Sequence, residues 1–111
     1  MGRPKRLYPL GKYRLRIRGP IDTSKAYLVE LEYTWNRQIV RKGMNIFVKV
    51  GDWNEKLNKG RGGVKASYGP EANRTNALLL GRVDKIDGLL AEYAQRFPNQ
   101  ITPELINDFL F

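Results

Sequence analysis

The chain has 111 residues, the size of one domain, with a formal net charge of +9 and neither histidine nor cysteine. Those two absences remove Ser-His and Cys-His catalysis, histidine- or thiolate-ligated metals and disulfides from its repertoire. Hydrophobic residues make up 41%, enough for one modest core, and no apolar run approaches the roughly 20 residues that span a bilayer.

The charge is segregated. Residues 1–50 hold twelve Lys and Arg against Asp22, Glu30 and Glu32, so the whole excess of +9 lies there. Residues 51–111 balance eight basic against eight acidic side chains. A one-sided positive field of this kind is the electrostatic footprint of a polyanion binder, which solubility alone does not require.

In chain order, residues 1–11 read as a flexible basic arm. They carry Arg3, Lys5, Arg6 and two prolines without periodicity, and they lack the apolar h-region of a signal peptide. Within them, the run Gly2 to Arg6 faintly resembles an AT-hook, an extended Arg-Pro segment of the minor groove. Residues 12–18 alternate with period two, Tyr13, Leu15 and Ile17 on one face and Lys12, Arg14, Arg16 and Arg18 on the other. That pattern predicts a half-buried strand with a basic outer face.

Residues 19–24 form a loop, and residues 26–35 a second strand with Tyr27, Val29, Leu31 and Tyr33 inward. Asn36-Arg37 makes a two-residue hairpin turn, because Asn tolerates positive φ, and residues 38–48 return as a third strand. In that register Glu32 faces Arg41 and Leu31 faces Lys42. Lys42 then falls on the inner face unless a bulge near Gly43 restores the pattern. Residues 49–69 are a Gly-, Asn- and Lys-rich connection anchored by Trp53. Its stretch Lys59 to Gly63 lacks the spacing of a phosphate loop and reads as a flexible basic linker.

From Pro70 to Phe97, the residues Leu79, Val83, Ile86, Leu90, Tyr93 and Phe97 recur at helical spacing, predicting one long helix stopped by Pro98. Gly81 and Gly88 lie off this stripe, where they permit close backbone contact or a bend. Thr102-Pro103 is an N-cap with Pro at the first helical position, opening a second helix through Leu105, Ile106, Phe109 and Leu110. The expected fold class is therefore α+β: a three-stranded antiparallel sheet packed against one long C-terminal helix, with the start of a second helix at the C-terminus. Residues 99–111 read as the lead into a further region of a longer protein. The carboxylate pairs Glu30/Glu32 and Asp84/Asp87, the latter expected on the solvent side of the helix, are salt-bridge partners rather than acid–base pairs. No enzyme activity is expected of this chain.

The basic strand Tyr13 to Arg18, the hairpin at Asn36-Arg37, Ile46-Phe47-Val48 followed by Asp52-Trp53-Asn54, a Gly-rich stretch ending in Val64-Lys65, and a long helix with Asn76 and Leu79 come in a telling order. Over residues 12–98 that ordered set resembles the N-terminal arm-type DNA-binding domain of tyrosine recombinases, the integrases of prophages and conjugative transposons. The resemblance implies a sheet whose open face enters the major groove of arm-type sites at the ends of a mobile element. It also implies a catalytic Tyr with Arg and His partners in a separate C-terminal domain. Asn45 stands where that family usually has Gly, and Glu32 where it often has a basic or neutral residue.

The DNA-binding residues expected on this reading are Lys12, Arg14, Arg16, Arg18, Thr34, Arg37, Arg41 and Lys42, with no catalytic residue, metal or cofactor. The expected partners are double-stranded DNA and the remaining recombinase domains. The isolated chain is expected to be monomeric, in the nucleoid-associated cytoplasm of a bacterium. Two other classes suit the same charge: a double-stranded RNA-binding module, and a protein-interaction domain for an acidic partner.

Overall fold

A computed structural model describes residues 6–111; most of the AT-hook-like run, Gly2 to Lys5, lies outside the described residues. The fold is α+β. Strands β1 (Lys12–Leu15), β2 (Ala26–Trp35) and β3 (Gln38–Lys49) form an antiparallel sheet in the order β1-β2-β3. A two-stranded ribbon follows, β4 (Trp53–Asn54) with β5 (Gly63–Val64), enclosing a distorted helical turn, α1 (Leu57–Gly60). The long helix α2 (Ala72–Arg96) and a shorter α3 (Pro103–Leu110) complete it.

The β2–β3 register is the one that the alternation dictates: Tyr33 opposite Val40, Glu32 opposite Arg41, Leu31 opposite Lys42. It is set at the turn, where Asn36 (φ 51°) and Arg37 (φ 64°) are both left-handed, the geometry that matches the twist of the flanking strands. β1 is shorter than its sequence pattern: regular pairing ends at Leu15, after which Arg16 N still donates to Leu28 O at 2.8 Å. Ile17, expected among the core residues, is half-buried and lines a groove on the outer face.

One side of the sheet is dry. Tyr13, Val29, Leu31 and Tyr33 pack with Leu79, Val83, Ile86 and Leu90 of α2 in a single buried cluster that also takes in Trp53 and Val64. The helical stripe differs from its expected course at the C-terminal end. Ala94 is buried, whereas Tyr93 is half-covered and Phe97 is 50% exposed, because α2 outruns the sheet there. α3 fills the neighbouring space. Thr102 Oγ1 accepts from Leu105 N at 3.1 Å, and Ile101, Ile106 and Leu110 are buried in the same core. Residues 101–110 are thus packed on the same core as the sheet and α2. Gly81 and Gly88 face open space, so neither serves a close helix contact.

Two further expectations give way to tertiary packing. Tyr8 is partly buried against the core and Pro9 and Gly11 are buried, so the segment leading into β1 is docked and not a free arm. Asp87, expected on the solvent side, is 7% exposed and sits at the centre of the fold. Its Oδ1 accepts from Gly11 N (3.0 Å) and from the Tyr33 hydroxyl (2.7 Å), and its Oδ2 accepts from Arg61 Nη1 (2.8 Å). Arg61 also donates to Gly11 O, and its own carbonyl accepts from Tyr13 N at 2.7 Å. A Cβ at Gly11 would lie 2.5 Å from Tyr33 Cζ, so only glycine fits between the hub and the ring.

Truncating Leu31 or Ile86 to Ala should cost about 2–5 kcal/mol of unfolding free energy in denaturant titrations. Burial also raises the phenol pKa of Tyr13 and of Tyr33, and Asp87 adds to the rise at Tyr33. Both stay protonated in the folded chain, while in the unfolded chain they ionise near pH 10.0. Stability should therefore hold up to about pH 10 and fall above it, by up to about 1.4 kcal/mol per pH unit for each phenol. Thermal unfolding across that range checks this, and Tyr33→Phe should roughly halve the alkaline slope.

Candidate nucleic-acid interface

The face of the sheet opposite the core presents its side chains in rows set by the register. The first row from the hairpin is Thr34 and Ile39; the second is Lys12, Glu32 and Arg41; the third is Arg14, Glu30 and Gly43. A fourth row follows with Leu28 and Phe47, beside which Arg16 is held through its backbone bond to Leu28. Successive rows on one strand lie about 7 Å apart. Lys12, Arg14, Arg16, Arg18 and Arg41 border a groove of about 570 Å³ that runs over Glu30, Glu32 and Thr34.

Glu32 organises this surface. It is only 6% exposed although it lies on the outer face, because the side chains of Arg14 and Arg41 close over it. Arg41 Nε donates to Oε2 at 3.1 Å, and Arg14 Nε lies 3.5 Å from Oε1. Each guanidinium is held through Nε and remains about half exposed, 51% for Arg41 and 52% for Arg14. The contact to Glu32 uses Nε in both, whereas the Nη pair is the end that forms bidentate bonds to phosphate or to a base edge. A single carboxylate thus fixes two cations while leaving a net positive charge. Of the carboxylate pair Glu30/Glu32, expected as ion-pair partners, Glu32 takes that part, while Glu30 is in no ion pair among the described residues.

The expected site residues separate into three groups. Lys12, Arg14, Arg16, Arg18, Thr34 and Arg41 share the outer face. Arg37 stands apart, exposed at the hairpin tip. Lys42 does not belong to the face. It lies on the core side, donates through Nζ to Leu110 O at 2.6 Å and sits 4.9 Å from the centre of the Phe111 ring. A bulge exists, but between Gly43 and Phe47, on the far side of Lys42 from the hairpin, so Lys42 stays on the inner face where the turn register puts it. Its charge instead meets the negative end of α3, where a cation is favoured.

Two basic residues that sequence reading left out join the face, Lys56 and Arg6, and a third, Lys59, is exposed close by. Lys56 lines a hollow shared with Lys12 and Arg14, Lys59 lies exposed in the same turn, and Arg6 borders a second hollow with Lys12 and Thr34. The turn is not a flexible linker. Asn58 and Lys59 are both left-handed (φ 54° and 61°), and Asn58 Nδ2 donates to Gly62 O at 3.1 Å. Asn76 of α2 clamps the following strand through both Val64 N (2.8 Å) and Val64 O (2.9 Å). Asn followed closely by Gly at 58–60 was a turn signal; that the turn docks beside β1 was not readable from it.

Among the described residues no group of acidic side chains is placed to hold a metal ion, and no helix is long and apolar enough to cross a membrane. No family model matches the chain, and neither does any curated protein or solved structure.

Removing the anchor tests this geometry. Glu32→Gln should leave the fold intact while the Nε–H resonances of Arg14 and Arg41 shift together in proton–nitrogen spectra, with that of Arg37 unchanged. Independent behaviour of the two anchored side chains would show that Glu32 does not couple them.

Proposed function

We propose that this chain is a double-stranded DNA-binding module whose sheet face lies in the major groove, as the N-terminal arm-binding part of a tyrosine-type site-specific recombinase. The observation that carries the reading is the outer face: five basic side chains converge on one groove, two of them tethered to Glu32, on the side of the sheet away from the core. Three strands span about 10 Å from first to last, which suits a major groove about 12 Å wide.

In this reading Arg14, Arg16 and Arg41 face base edges, held extended by the sheet and by Glu32. Lys12, Arg18, Arg37, Lys56 and Lys59 meet phosphates along the flanks, and Thr34 and Ile39 lie against bases near the hairpin end. Phosphate contacts position the module and base contacts give it selectivity. The chain performs no chemistry itself; strand exchange would belong to other domains of the parent recombinase.

Affinity for duplex DNA should fall steeply with salt, about 0.9 in log K per log salt for each phosphate contact, or about five hundredfold between roughly 50 and 200 mM for these five contacts. Arg16→Ala and Arg41→Ala should each reduce the preference for a selected site over random duplex by about 1–3 kcal/mol. Arg37→Ala should weaken both kinds of duplex alike. Lys59→Gly should do the same without loss of stability, since glycine adopts the left-handed backbone freely. Equal or better binding to duplex RNA in competition, or a flat salt response, would overturn the proposal.

A further inference from the structure

The sheet face has an apolar end that the basic residues do not explain. Phe47 is 54% exposed, on the same side as Arg14 and Arg16, opposite half-buried Leu28. It reaches that position by an irregularity in β3. The steps from Glu30 to Leu28 on β2 and from Gly43 to Phe47 on β3 cover the same stretch of ladder, so β3 carries two extra residues there. Asn45 makes this possible by taking a left-handed backbone, φ 58°, which asparagine accepts more readily than other residues with a side chain. In an unbroken ladder Asn45 would stand opposite Leu28, and Phe47 would lie one pleat, about 7 Å, farther from the arginines. A bulge that re-aims one side chain toward a binding surface is a recurrent device, and here the side chain delivered is a large exposed aromatic.

At the other end of the same face stands Ile39, 51% exposed beside Thr34. From the Thr34 row to the Leu28 row is six residues along β2, about 20 Å, the length of about six base-pair steps. Between these apolar ends the face is charged. The major groove offers one apolar group of its own, the thymine C5-methyl, which aromatic and aliphatic side chains recognise by contact.

We propose that Phe47 is a specificity-determining residue that seats on a thymine methyl, with Ile39 on a second, so that the preferred duplex carries thymines about six base pairs apart. The inference rests on the sheet being the duplex-binding face. It is tested with the full chain on the duplex that it enriches from a random library, by replacing each thymine in turn with deoxyuridine, which deletes only the methyl.

Wild type should lose about fourfold in affinity at two thymines, the worth of one buried methyl group each. In Phe47→Ala the loss should vanish at one of them and persist at the other, and in Ile39→Ala the reverse; both side chains are exposed, and circular dichroism verifies the fold. Phe47→Leu should keep the penalty. If wild type enriches a duplex but the uracil profile is flat, or identical in Phe47→Ala, the inference fails while duplex binding stands. If no duplex is bound even at low salt, both fall.

Discussion

A carboxylate taken out of water on a helix must find donors, and the fold is arranged around the ones that Asp87 finds. An isolated buried charge costs several kcal/mol, and removing one partner of a buried pair typically costs about 3–5 kcal/mol because the other is left uncompensated. Asp87 recruits its donors from three separate stretches of chain: the backbone before β1, the hydroxyl of Tyr33 in β2, and Arg61 beyond α1. Arg61 in turn grips the segment at both Gly11 O and Tyr13 N. Since β1 has only four paired residues, its position relies on these bonds as much as on the ladder. The hub on the core side therefore fixes where Lys12, Arg14 and Arg16 emerge on the opposite side.

The two faces of the sheet solve opposite electrostatic problems. On the inner face one negative charge is surrounded by donors in a dry setting, where satisfied polar networks specify a single packing. On the outer face one negative charge is placed beneath two positive ones that stay half in water. Such an ion pair contributes little to stability, since exposed partners are screened and gain on the order of 1 kcal/mol or less. Its physical effect is to remove rotamer freedom from Arg14 and Arg41 in advance, which lowers the entropy lost when a ligand orders them.

Left-handed residues other than glycine mark where the backbone works against its own preference. Asn36 and Arg37 close the hairpin, Asn45 enables the β3 bulge, and Asn58 and Lys59 shape the turn before β5. A sixth, Asn99, lies apart in the connection from α2 to α3; each of the other five sits at a margin of the outer face or delivers a side chain to it. Asparagine accepts this geometry at modest cost, which accounts for three of the five; Arg37 and Lys59 accept it while projecting a positive charge at an exposed point.

Periodicity is local, and what depends on it was legible in the sequence. Alternation over 12–15 and 26–35, the Asn36-Arg37 turn and the stripe Leu79, Val83, Ile86, Leu90 determined the elements, the register and which face of the sheet is basic. Distance between elements is not local, and it decided the rest. Whether Asp87 points to water depends on how far Tyr33 and Arg61 reach across the core, which no helical wheel contains. Lys42 obeyed its alternation and lay inward, yet only the docking of α3 supplies the carbonyl that makes this tolerable. The bulge that brings Phe47 beside the arginines, and the approach of Lys56 to β1, likewise arise from packing between segments. Sequence determined the side of the sheet each strand residue occupies, because the pleat does so by itself; tertiary structure decided which of those residues meet.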